Sequence, residues 1–181
     1  LAGLFLWTRF APRIHIPLAF EILSCEGDAL IYDLQSGSWR TPRRGEVFAP
    51  SQTMKTGKDG LINFQVDNEI HLRLKEHSEV RNAGSGVEGN REIYKLLLSQ
   101  GVLLGATSRQ FERKQQEEKA VFKILTPDYV ADVHSAIFRV QASSPQNPTD
   151  RVGVLRGSVE VSKPSPLFRS AGVRIRGLEE T

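Results

Sequence analysis

The chain has one cysteine, Cys25, and one methionine among its 181 residues. A single thiol closes no intrachain disulfide and builds no zinc knuckle, so the fold does not depend on oxidation. Long apolar runs are missing as well. Leu1 to Trp7 is the apolar opening, and it turns polar at Thr8-Arg9, far short of the ~20 residues that cross a bilayer. Charge of one sign is also lacking. The 24 Lys and Arg stand against 21 Asp and Glu, a net +3, which is not the electrostatic footprint of a dedicated nucleic-acid binder. No internal repeat is present, and no strand alternates with helix as a parallel α/β sheet requires.

What is present suits one domain of ordinary size. Hydrophobic residues make up 39% and charged residues 25%, enough apolar material for a core. The first residues carry no initiating Met. They read either as the trailing end of a spanning helix, with Trp7 at the interface, or as a short apolar strand. Pro12 and Pro17 then punctuate the approach, so residues 1–17 form a transmembrane remnant and linker, residues 18–163 a β domain, and residues 164–181 a tail or added strand. Ile22-Leu23-Ser24-Cys25 has the outline of a lipoprotein cleavage box. Glu21 interrupts its apolar side, and the flanking residues continue as a strand.

From Phe20 onward, short apolar runs are broken by turn residues. Ile62, Phe64 and Val66 fall on one face, with Asn63 and Gln65 on the other. After Asp67-Asn68-Glu69, Ile70, Leu72 and Leu74 alternate with His71, Arg73 and Lys75. Period two on both sides of a short polar break predicts a β-hairpin with one buried face. A second hairpin is expected in Val152 to Ser162, with Arg156-Gly157 as its turn. Arg91 to Gly105 fits two strands broken at Gln100-Gly101, with Tyr94, Leu96, Leu98, Val102 and Leu104 inward, or a short helix. Arg109 to Lys119 is a mixed-charge run, a solvated loop or a short exposed helix. The expected fold class is all-β: many short antiparallel strands and hairpins in a sandwich, roll or β-solenoid-like stack.

Three patterns invite a chemical reading. Asp132, His134 and Ser135 suggest a triad, but adjacent strand residues point to opposite faces, so His134 is badly placed as a base for Ser135. Asp132 and His134 share a face, and two ligands without a third make a poor metal site. Gly84-Ser85-Gly86-Val87-Glu88-Gly89 spells G-x-G-x-x-G. That fingerprint requires an apolar strand before it and a helix after it, and His77 to Ala83 is too polar for such a strand. His71 and His77 assemble no ligand set. No catalytic, cofactor-binding or metal residue is assigned. Trp39 and Tyr94 are the aromatics available as sugar-stacking platforms, a role that competes with burial in the core.

The order of these marks resembles a FecR-type domain, an all-β module found mostly in bacterial envelope proteins. The similar stretches are "EILSCEGDALIY", Trp39 with Arg44-Gly45-Glu46, "TMKTGKDGLINFQV", "EIHLRLKEHSEV", "YKLLLSQGVLLG", "TPDYVADVHSAIFRV" and "VGVLRGSVEV", covering about Leu18 to Lys163. Two departures stand out. Asp67-Asn68-Glu69 replaces an Asp-Gly-Ser-like turn, and His134-Ser135-Ala136 stands where the family commonly has Arg-Gly-Thr. The resemblance implies a non-enzymatic, periplasmic or extracellular module, tethered to the inner membrane in some members, that binds, senses or scaffolds. Its implied partner is another envelope protein or a cell-wall component, reached through exposed strand edges or the loops at Arg81–Arg91 and Arg109–Lys119. Some members are single-pass regulators that pass a signal from an outer-membrane transporter to a cytoplasmic sigma factor. The competing expectations are surface-polysaccharide binding and a nucleotide-dependent enzyme built on Gly84–Gly89.

Overall fold

The computed structural model describes residues 20–145, 148–164 and 173–177. The expected segments at residues 1–17, and most of 164–181, therefore lie outside the described residues. In chain order the elements are β1 (Phe20–Glu26), β2 (Ala29–Asp33), β3 (Ser38–Arg40), β4 (Val47–Phe48) and β5 (Thr53–Thr56). There follow β6 (Leu61–Val66), β7 (Ile70–Leu74), β8 (Glu79–Asn82), β9 (Gly86–Glu88) and β10 (Arg91–Thr107). After α1 (Arg109–Gln116) come β11 (Ala120–Leu125), β12 (Val130–Ala142), β13 (Arg151–Ser162) and β14 (Val173–Arg176). The fold is all-β, an antiparallel sheet curled into a half-barrel. Its long path runs β14-β13-β12-β11-β10-β7-β6-β1-β4, with β10 and β11 paired in parallel.

The first hairpin forms as its periodicity requires. Val66 pairs with Ile70, and Asp67 and Asn68 both take positive φ, 45° and 57°, with the Glu69 amide donating to the Val66 carbonyl at 2.7 Å. Two left-handed residues at the centre of a tight turn match the twist of the strands they join. Ile62, Phe64, Val66, Ile70, Leu72 and Leu74 all face inward and are buried.

Other segments differ from expectation. Val152 to Ser162 is a single strand, not a hairpin. Gly157 takes φ +81° in a bulge against β12, where an added Cβ would lie 1.8 Å from the Ser135 carbonyl oxygen. A glycine in a bulge and a glycine in a turn leave the same mark in a sequence. Arg91 to Thr107 is likewise one strand. At Gly101, φ +86°, it passes so close to Ser78 that no side chain fits, and the alternation changes phase. Leu103 and Gly105 turn inward, so Val102 and Leu104 do not. Arg109 to Gln116 is a helix, capped by Ser108, whose Oγ accepts from the Phe111 amide at 3.2 Å. It is anchored rather than merely exposed, because Phe111 is buried.

The interior is filled by aromatic rings. Phe20 meets Phe64 at 5.7 Å and Tyr94 at 6.3 Å, Phe48 meets Phe64 at 5.9 Å, and Tyr94 meets Phe111 at 6.0 Å, all four contacts edge-on. Edge-to-face contact is a favoured packing of aromatic rings in a protein interior.

Candidate functional site

With aromatic side chains filling the described interior, the exposed candidates lie on the outward face of the sheet. A depression of about 620 Å³ there crosses β7, β10, β12 and β13. Strand pairing sets its layout. Arg73 pairs with Leu104, Leu104 with Arg139, and Arg139 with Gly153, so these four share one face in one row. In the next row His71 pairs with Ala106, and Ala106 with Ile137. Leu104, Ala106 and Ile137 therefore form an apolar floor between basic side chains. Leu155, 67% exposed, extends it along β13, and Ile137 is itself 40% exposed.

Two glycines shape the depression from opposite sides. Gly105 points inward at the Phe138 ring, where an added Cβ would lie 2.1 Å from Cζ, so the ring covers the strand from beneath. Gly153 faces outward and an added Cβ there meets nothing, which leaves the groove open over β13. Arg73 Nε donates to Asn63 Oδ1 at 2.8 Å, and an Arg139 terminal nitrogen donates to Gln141 Oε1 at 2.9 Å. Among the described residues neither guanidinium is ion-paired, and no carboxylate lines the groove.

These residues were not singled out from the sequence. The available signal was phase: Leu104, Ile137 and Leu155 are apolar on the face that alternation reserves for polar side chains. It was obscured because β10, β12 and β13 each change phase, at Gly101, Ser135 and Gly157.

The Asp132-His134-Ser135 cluster has a structural role. Asp132 and His134 do share a face, with His134 Nε2 3.9 Å from Asp132 Oδ1 and 4.0 Å from Glu160 Oε2. Asp132 also pairs with Lys123 at 3.0 Å, in a charge row across the sheet. Ser135 sits at a corner with φ +45°, where β12 leaves β11 and moves onto β10. The Gln115 side chain spans the break, accepting from the Ser135 amide at 2.9 Å and donating to the Val133 carbonyl at 2.6 Å. Thr107 Oγ1 accepts from the Ala136 amide at 2.8 Å. At this strand switch the side chains of Gln115 and Thr107 thus take up the Val133 carbonyl and the Ser135 and Ala136 amides. Among the described residues no group of three His, Cys, Asp or Glu is placed to hold a metal.

Gly84–Gly89 contains β9 itself, which pairs antiparallel with β10, and β10 follows where a dinucleotide site needs a helix. That is not the strand-to-helix context the fingerprint requires, and among the described residues the element that follows it is a strand. Tyr94 is buried, its hydroxyl donating to Glu92 Oε2 at 2.9 Å, and burial pushes its pKa well up. It cannot be a stacking platform. Trp39 is 37% exposed, but Tyr32 packs edge-on against it and Lys55 Nζ lies 4.0 Å from its ring centroid. Cys25 lies within β1, paired with Ile62, and its thiol donates to the Pro42 carbonyl at 3.1 Å.

α1 is held to the sheet by a charge cluster. Lys114 Nζ lies 2.8 Å from Glu69 Oε1 and 2.9 Å from Glu92 Oε2. Desolvation works against the Lys114 charge, but the two carboxylates outweigh it and raise its pKa.

A family model described as FecR protein matches residues 52–160. No curated protein is a match in sequence. Two crystal structures of a candidate anti-sigma factor from Parabacteroides distasonis ATCC 8503, at 1.65 and 2.50 Å resolution, share the fold with a TM-score of 0.52. At 17% identity, the similarity covers 69% of this chain and 51% of that one, so the chain spans about half the length of the structures it matches. Among the described residues no helix is long and apolar enough to cross a membrane.

Proposed function

The chain belongs to the FecR protein family, and from that premise we propose that it is a non-catalytic binding and sensing module of the bacterial cell envelope, working outside the cytoplasmic membrane on a protein partner. The observation that carries this reading is the coincidence of family match and surface. Residues 52–160 include β7, β10, β12 and the whole stretch of β13 that lines the groove. The surroundings of His134 and Ser135 support the absence of catalysis. The Ser135 and Ala136 amides are taken up by Gln115 and Thr107, and Ser135 is turned aside by its own backbone. A nucleophile and its base need a shared hydrogen bond aimed at a cleft, and this corner supplies none.

A second, finer reading is that the module is the periplasmic part of a transmembrane sigma-factor regulator. The likeness to a candidate anti-sigma factor of about twice the matched length supports it, since such a protein has room for further segments. Both readings meet one experiment. Cells producing the native full-length protein are fractionated, and their spheroplasts are treated with protease and then cross-linked. The expected result is a membrane-associated protein whose FecR domain is cut from outside and forms an adduct with an envelope protein. A full-length protein wholly in the cytoplasm would overturn both.

A further inference from the structure

The groove has a chemistry that narrows what it can accept. Arg73 and Arg139 stand on strands two ladder spacings apart, ~10 Å between backbones, with Leu104 between them in the same row. His71 extends the basic rim along β7. Arg151 lies opposite Gln141 on the same outward face, while the chain as a whole is only +3. Basic charge is therefore concentrated around a floor of Leu104, Ala106 and Ile137, extended by the exposed Leu155. A purely polyanionic ligand leaves that floor wet, and a purely apolar one leaves two guanidinium groups without an anion.

We propose that this groove receives an acidic amphipathic protein segment, one apolar side chain seated over Leu104, Ala106 and Ile137, with carboxylates to either side reaching Arg73 and Arg139. The separation of the two arginines favours a helical segment. Same-face residues of an extended strand recur every ~6.7 Å, whereas residues seven apart on a helix are ~10.5 Å apart, with apolar positions three and four residues along between them. Gly153 keeps the far side of the groove low enough for such a segment to lie across the strands. The proposal rests on reading the domain as a binding module and adds the character of the partner.

The test titrates the full chain into a fluorescein-labelled peptide with two Glu seven positions apart and a Leu pair between them, on an Ala and Gln background. A matched peptide has Lys in place of both Glu. The Glu peptide binds, more weakly as salt rises, and the Lys peptide does not. Arg73→Glu and Arg139→Glu each reduce the affinity roughly tenfold or more. Gly153→Val, which fills the groove without a clash, reduces it similarly while leaving the melting temperature near that of the parent. Equal binding of both peptides, no binding of either, or indifference to all three substitutions overturns the proposal. So does a concentration-dependent dimer abolished by Gly153→Val, which assigns the face to a second copy. Capture by phosphatidylglycerol vesicles without peptide binding overturns it in favour of a membrane. Failure of the peptide with an envelope location intact removes the groove alone, whereas peptide binding by a cytoplasmic protein removes only the envelope reading.

Discussion

Ser135 holds φ +45° where the FecR family commonly has glycine. An L-residue in that region brings Cβ against its own backbone at a cost of about 1 kcal/mol, and the strand corner imposes the conformation regardless. Ser135→Gly is expected to stabilise the domain by about 0.5–1 kcal/mol, read as a higher midpoint in urea. Glu46 makes the opposite kind of case, a side chain whose ionised form is held. It takes a two-pronged bond from Arg40 and accepts the Arg43 amide at 2.9 Å, and the Arg40 bond foremost lowers its pKa despite partial burial. A depressed carboxylate stabilises the fold fully above the ordinary glutamate range, and the effect fades as pH falls through the lowered value. Glu46→Gln is therefore expected to cost about 1 kcal/mol at neutral pH, given solvent screening at Arg40. The gap from the parent narrows in acid. Denaturation curves across pH check both the size and the sign.

At the scale of elements, β12 depends on a side chain from α1. Gln115 supplies an acceptor to the Ser135 amide and a donor to the Val133 carbonyl at the strand corner. Gln115→Ala leaves two part-buried backbone groups without partners, an expected loss of about 2 kcal/mol. Hydrogen exchange provides the specific readout: the Ser135 amide should become faster while amides in the β6–β7 hairpin keep their protection. The elements also show what a sequence discloses and what it hides. The hairpin at Leu61–Leu74 was legible because burial on one face imposes an unbroken period of two. The sequence of β13 suits a hairpin because a positive-φ glycine signals a change of direction, and only the partner strand decides whether that change is a turn or a bulge. Alternation alone puts Leu104 inside for the same reason, since the phase change at Gly101 is set by contact with Ser78, twenty-three residues earlier in the chain. The local charge pattern of α1 is compatible with loop and helix alike, and Phe111 in the core selects the helix.

On the scale of the whole molecule, the three phase changes have a joint consequence. Bulges bend the strands that carry them and sharpen their twist, and here they accompany a sheet curled around stacked aromatics. That curl closes the sheet around its aromatic core. It also puts Leu104, Ile137 and Leu155 at one surface between arginines, an arrangement that no stretch of sequence contains by itself. Ser135 occupies the corner of β12, where its amide is bonded by Gln115, in keeping with the sequence reading of Asp132, His134 and Ser135 as strand residues. The central claim, that this domain works by binding on that outer face, is tested most directly by the envelope adduct of the full-length protein. Its yield is to be measured side by side for the parent, Gly153→Val and His134→Ala. The account predicts an adduct lost with Gly153→Val and undiminished with His134→Ala; an adduct that survives a filled groove and vanishes with His134 would contradict it.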